Sequence, residues 1–174
     1  MKIELVSGEA GWPLVKPLEA LVYTPDYLKT WVGRDVTWAH ADKRALVLTD
    51  AGKLVSHAGA FVREGEWDGL PVLLGGIGGV VTDPEYRRQG YARAALKCAL
   101  TWLHDEPAVP FALLFCEPHN IAFYARQGWQ RFEGTVIVRQ PGGTAPFTLF
   151  HAMTLAIRER AALRGTLDLR GEPW

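Results

Sequence analysis

The sequence predicts an α/β (α+β) fold, a mixed central β-sheet flanked by helices, and three features carry that prediction. The apolar run from Val72 to Thr82, a helix-periodic segment from about Arg88 to Leu103, and the unbroken apolar run from Phe111 to Cys116 follow one another as strand, helix, strand. That order requires a parallel pair with a right-handed crossover. Hairpin signals on both sides of this unit make the sheet mixed. The third feature is bulk: 174 residues, 48% hydrophobic and 22% charged, suit one compact domain with a real core. We expect that domain to span 1–157, with 158–174 as a tail packed on it.

Taken in order, Lys2 to Ser7 reads as a first strand. Residues 12–33 carry apolar positions at helical spacing interrupted by Pro13, Pro17 and Pro25, so two short helices are expected. The second starts at Thr24 as N-cap with Pro25 in its first turn. Ala45 to Asp50 and Lys53 to Val62 are β-runs joined by the turn Asp50-Ala51-Gly52. Residues 63–71 read as a connection, and the strand from Val72 to Thr82 thins to glycine in its second half. In the next helix Ala92, Ala95, Leu96, Ala99, Leu100 and Leu103 recur at three and four residues, one apolar stripe. Phe111 to Cys116 is apolar throughout, as a strand buried on both faces should be. Asn120 to Gln127 is a short helix stopped by Gly128. Thr135 to Arg139 and Thr148 to Ile157 are the last strands, around the turn Gln140 to Phe147. The tail from Arg158 to Trp174 is polar.

Charge and cysteine usage exclude several classes. Nineteen basic residues balance nineteen acidic ones, so a general nucleic-acid binder is not expected. Two cysteines, Cys98 and Cys116, make no disulfide framework and read as buried thiols in a reducing compartment. No signal peptide follows Met1, and no run approaches the roughly 18 apolar residues of a membrane span. A cytoplasmic protein with no membrane association and no bound metal is expected, as a monomer or homodimer.

The informative stretch is 75–100, where a strand turns glycine-rich, crosses Pro84, and delivers Arg87-Arg88-Gln89-Gly90-Tyr91-Ala92 into a helix. A helix start leaves backbone N–H groups unpaired, and the dipole adds positive charge there. Basic side chains are disfavoured at that end, so Arg87 and Arg88 ask for an anion, and phosphate is the natural one. Gly90 permits close approach of the backbone, and Ala92 keeps the next position small. The dinucleotide fingerprint is excluded, because from Gly76 and Gly78 its third glycine falls on Val81 and Pro84 precedes any helix. No P-loop lysine pattern occurs.

Val80 to Ala92 resembles the acetyl-CoA signature of the GCN5-related N-acetyltransferases, with Arg87, Gly90 and Ala92 at its defined positions. Asn120-Ile121-Ala122-Phe123-Tyr124 followed by Gly128-Trp129 resembles that family's second motif. The order of elements agrees from about 44 to 156. The resemblance implies acetyl-CoA as cosubstrate, its pyrophosphate held by backbone groups of Arg88, Gln89, Gly90, Tyr91 and Ala92. It implies main-chain pairing of the pantetheine arm with Val80 and Thr82, and a strand at 111–116 that splays to admit it. Asn120 and Phe123 would border the arm, and Tyr124 would sit near the sulfur. A thioester already reacts with amines, so juxtaposition supplies much of the rate. Its oxygen needs a backbone donor, here Val80 or Val81. A phenol, ordinarily titrating near about 10, suits protonation of the departing thiolate, although a tyrosine on a helix face also serves as core.

Many members of the family carry a glutamate on the fourth strand to take the amine's proton, where this chain reads Gly75-Gly76-Ile77-Gly78-Gly79. Glu117, His119 and His57 are the replacement candidates, each also readable as structural; Glu117 suits an N-cap before Pro118. Within the family the chain is similar to aminoglycoside 2′-N-acetyltransferase-like proteins, through Leu54 to Val62 and a tail ending in tryptophan. That likeness implies a polycationic sugar met by the carboxylate of Trp174, helped by Asp26, Asp35 or Glu172. Tyr23, Tyr27, Trp31 and Trp38 could line the acceptor groove or belong to the core. The expected activity is transfer of acetyl to a primary amine of a small molecule or amino sugar. A protein lysine or N-terminal acyltransferase, and an acyl-CoA-binding module without turnover, are the alternatives.

Overall fold

The structure is a computed structural model that describes residues 1–106 and 108–174. It has the α+β class expected, in two compact units. The first comprises Met1–Asp35, His40–Phe61 and Ile77–Trp102; the second comprises Val36–Ala39, Val62–Gly76 and Leu103–Trp174.

In the first unit β1 (Lys2–Ser7) pairs antiparallel with β2 (Lys43–Leu48), and β2 pairs antiparallel with the start of β3 (Leu54–Trp67). Between β1 and β2 lie α1 (Gly8–Val22) and α2 (Pro25–Thr30). Both starts are capped by hydroxyls. Ser7 Oγ accepts from the Ala10 amide at 3.2 Å, and Thr24 Oγ1 from the Tyr27 amide at 3.3 Å. Contrary to expectation, α1 runs unbroken from Gly8 through Pro13 and Pro17. Both prolines are exposed, as are Glu9 and Pro13 four residues before them, so the carbonyls that lose their amide partners remain open to water.

The unit closes with the end of β4 (Leu70–Thr82), a 3₁₀ turn at Pro84–Tyr86, and α3 (Tyr91–Asp105). Ala95, Leu96 and Ala99 of α3 are buried, which fits the stripe read from the sequence. The helix begins at Tyr91 rather than near Arg88, so Arg87, Arg88 and Gln89 belong to the turn before it.

In the second unit β3 continues to Trp67, through residues read from sequence as a connection. Asp68 and Gly69, with φ of 50° and 78°, then form the two-residue turn into β4. Both φ values are positive, which matches the twist of a tight antiparallel hairpin. The remaining elements are β5 (Phe111–Cys116), a 3₁₀ turn at Pro118–Asn120, α4 (Ile121–Ala125), β6 (Gln130–Arg131), β7 (Thr135–Gln140), β8 (Gly143–Pro146), β9 (His151–Ala156) and β10 (Thr166–Asp168). Strand order is β6-β9-β5-β4-β3-β10-β7-β8. The sheet is mixed: β9 is antiparallel to β5, while β10 is parallel to β7 and antiparallel to β3.

The tail therefore supplies a strand, which its polar composition concealed. It also supplies core: Leu167, Leu169 and Trp174 are buried with Phe111, Leu113 and Met153. The Trp174 indole N–H donates to the Leu113 carbonyl of β5 at 2.9 Å, and the Arg63 guanidinium lies 5.3 Å above its ring. Among the described residues no helix is long and apolar enough to cross a membrane.

Candidate active site

The first unit holds Val80, Val81, Thr82 and the turn from Arg87 to Ala92, and the strand end is tied to β3. The Ser56 hydroxyl donates to the Val81 carbonyl at 3.0 Å. Its one proton is thereby used, so the Thr82 hydroxyl is the donor in the 2.8 Å pair with Ser56 Oγ. Asp83 is buried; its amide donates to the Val55 carbonyl, and Oδ1 accepts from the Glu85 amide at 3.0 Å. The Lys53 ammonium lies 2.9 Å from Asp83 Oδ2, and its hydrogen bond holds the Asp83 carboxyl below the usual range. These contacts fix the strand end and leave the following turn exposed.

In that turn the Arg87 guanidinium donates to the Thr82 carbonyl at 3.4 Å. Arg88 and Gly90 both have positive φ, 62° and 87°. Residues 87–90 are exposed, and a Cβ built on Gly90 would meet nothing within 4 Å. The Gly90 carbonyl accepts from the Ala94 amide at 3.0 Å, so α3 starts on it. Its first turn contains no acidic side chain. The result is an open helix start with two arginines beside it and space above the glycine. That chemistry fits a pyrophosphate.

The second unit holds Asn120, Phe123 and Tyr124. Asn120 precedes α4 without a side-chain cap, and Phe123 is half-buried. Tyr124 is buried, edge-on to Phe123 at 5.0 Å and to Trp129 at 6.2 Å. Glu117 stands at the N-cap before Pro118 as expected, but its side chain does not cap; it lies 3.6 Å from His119 Nε2. Cys116 is buried and Cys98 only half-buried, both free; burial pushes the Cys116 thiol up to about 11 and raises that of Cys98. Neither is a nucleophile at neutral pH.

His57 is fully buried in the first unit. Nδ1 donates to the Gly79 carbonyl at 2.8 Å, so Nε2 accepts from Arg44 Nη1 at 3.3 Å. Burial pushes its pKa down to about 3, which leaves the ring neutral and its lone pair committed. Sequence reasoning missed the pair beside it. Arg44, second residue of β2, is 5% exposed, and its Nε donates to the Gly8 carbonyl at 2.9 Å. Glu19 is half-buried on α1, one turn after the buried Val15. A charged residue on each of two otherwise apolar stripes was the available signal.

The aromatic residues considered for an acceptor groove divide. Tyr23 lies 5.9 Å from Tyr27 and 5.0 Å from Trp31 on the α1–α2 side of the first unit. Trp38 instead packs on Phe147 and Phe150 in the second. Asp26 and Asp35 are exposed and paired with Lys29 and Arg34.

Residues 22–132 match the family model described as an acetyltransferase (GNAT) domain. No curated protein matches the sequence. Among solved structures the chain is similar to the GNAT family N-acetyltransferase YhbS of Escherichia coli in complex with CoA, at 15% identity over 97% of this chain and 89% of that one, TM-score 0.57. It is similar to a GNAT family acetyltransferase of Brucella melitensis in complex with acetyl-CoA, at 13% identity over 95% and 94%, TM-score 0.58. It is also similar to a GCN5-related N-acetyltransferase of Kribbella flavida, at 23% identity and TM-score 0.55; 75% of this chain matches, and it spans only 33% of that protein's length.

Proposed function

The chain belongs to the GNAT family of acetyltransferases, and on that premise we propose that it moves an acetyl group from acetyl-CoA directly to a primary amine of a small molecule, amino sugars included. The observation that carries the proposal is the turn at 87–92, where two arginines, two left-handed residues and an unobstructed glycine surround a helix start with no acidic side chain in its first turn. Acetyl-CoA, when bound, supplies an acyl group already activated towards amines. The chain's own residues do the rest. Backbone N–H groups of Arg88 to Ala92, with Arg87 and Arg88, bind the pyrophosphate. An N–H of Val80 or Val81 donates to the acyl oxygen as charge gathers there. Asn120 and Phe123 border the pantetheine arm, and the Tyr124 hydroxyl holds the proton destined for the leaving sulfur. The tilted cluster of Tyr23, Tyr27 and Trp31 supports an organic cation as acceptor, since aromatic faces attract ammonium groups.

CoA is expected to raise the melting temperature. At 100 times the dissociation constant the stabilisation is about 2.7 kcal/mol, or roughly 5–10 °C for a chain of this size. A melting curve unmoved by millimolar CoA sinks the reading. Thiol release from acetyl-CoA against a panel of small amines, amino sugars and peptides then tests turnover. Release with peptides alone redirects the acceptor to protein, and binding without any release leaves a CoA-binding module.

Tyr124→Phe removes only the hydroxyl. Affinity for CoA should change little, while turnover falls roughly ten- to a thousandfold. An unchanged single-turnover rate would mean that Tyr124 serves only the core.

A further inference from the structure

The amine that attacks must first lose a proton, because an alkylammonium ordinarily titrates near about 10 and has no lone pair. His57 cannot take that proton, its lone pair being held by Arg44. On β4, Gly79 is exposed with φ of 57°. A Cβ built there would lie 3.4 Å from His57 Cε1 and 3.7 Å from Glu19 Oε1. The α1 carboxylate thus reaches the place where a β4 side chain would begin, beside open strand surface. Arg44 is the charged group that faces it from β2 and His57 the titratable one from β3. Arg44 is fixed by the Gly8 carbonyl and lies 5.0 Å over the Trp12 ring. Among the described residues nothing hydrogen-bonds the Glu19 carboxylate.

We propose that Glu19, set into the side-chain-free place at Gly79, takes the proton from the acceptor's ammonium group; the inference rests on the acetyl-transfer reading above. The nitrogen loses two protons in all. One passes to Glu19 and on to water; the other balances the proton given to the thiolate as the N–C bond forms and the C–S bond breaks. No electrons change hands. Burial raises the Glu19 carboxyl above the ordinary glutamate range, with the Arg44 charge opposing, which makes it a stronger proton acceptor than an exposed glutamate.

The test is Glu19→Gln in the full chain, assayed with the small amine that the wild type turns over best. Turnover should fall about a hundredfold or more. The affinity for CoA should stay within about threefold, because Glu19 is not among the residues assigned to CoA. The pH profile separates a proton acceptor from a structural residue. The variant's rate should climb about tenfold per pH unit up to the amine's own pKa, where the wild type levels off earlier. Independently of activity, the Glu19 carboxyl carbon, followed by NMR in protein without CoA, should titrate above the ordinary range. A variant within about threefold of wild type, an unchanged pH profile, or a carboxyl titrating at or below the ordinary range overturns the proposal while leaving acetyl transfer intact. A wild type inactive with every amine defeats acetyl transfer itself, and this inference with it.

Discussion

Trp174→Ala is expected to lower the unfolding free energy by about 3–5 kcal/mol, the usual cost of truncating a buried aromatic to alanine. The ring is 3% exposed, and its N–H satisfies a carbonyl of β5 that would otherwise be buried without this donor. The tail around it is tied down as well, since the Ala39 amide donates to the Pro173 carbonyl at 2.8 Å and Arg63 to the Glu172 carbonyl at 2.6 Å. The melting temperature should drop by roughly 10 °C or more, read by thermal or urea unfolding. A loss under about 1 kcal/mol would show that the tail is not core. Gly76 supplies the control. A Cβ there would come within 2.3 Å of Trp174 Cε2, so Gly76→Ala alone should cost about 1–3 kcal/mol through overpacking. In the Trp174→Ala background much of that cost should vanish, a coupling that a double-mutant cycle measures directly. If the tail is chiefly structural, the acceptor KM should hold in every variant that stays folded.

Gly90→Asp should weaken CoA binding by about a hundredfold or more. The position points into open space, so the new side chain would stand where the pyrophosphate is proposed to sit. Like charges about 4 Å apart repel by about 1 kcal/mol in bulk water and about 4 kcal/mol near a protein surface, and a pyrophosphate carries more than one. The left-handed backbone at 87° is a milder problem, because aspartate and asparagine visit that region more readily than other non-glycine residues. Gly90→Asn matches shape without charge and should retain far more affinity. Equal losses in both variants, by calorimetry, would indicate backbone strain instead of phosphate repulsion.

The parts of the fold legible in the sequence were those governed by local pattern. The α3 stripe, the fully apolar β5 and the Thr24 cap each depend on residues within one element. What stayed hidden depended on partners elsewhere. β3 runs on to Trp67 because β4 and β10 lie beside it; Asp68-Gly69 was a readable hairpin signal, but polar flanks masked the strand leading into it. α1 survives two prolines because they and the residues four before them lie on its exposed face, which spacing alone does not reveal. The same division holds for the candidate site. The 87–92 turn is one contiguous stretch and could be read directly. Glu19, Arg44, His57 and Gly79 come from four elements, and only folding makes them neighbours.

The position of β10 has a consequence for how the chain acquires its structure. Residues 166–168 pair with Glu66 and Trp67 on one side and with Thr135 to Ile137 on the other. Among the described residues, the β7–β8 hairpin joins the rest of the sheet in strand order only through this late strand. Closing a contact across about a hundred residues is slow relative to forming hairpins and helices. Until it closes, the end of β3 at Glu66 and Trp67 and one edge of β7 both present unpaired backbone, the template on which chains add to one another. If β10 docks last, the yield of folded chain should depend on crowding and chaperone capacity more than its final stability suggests.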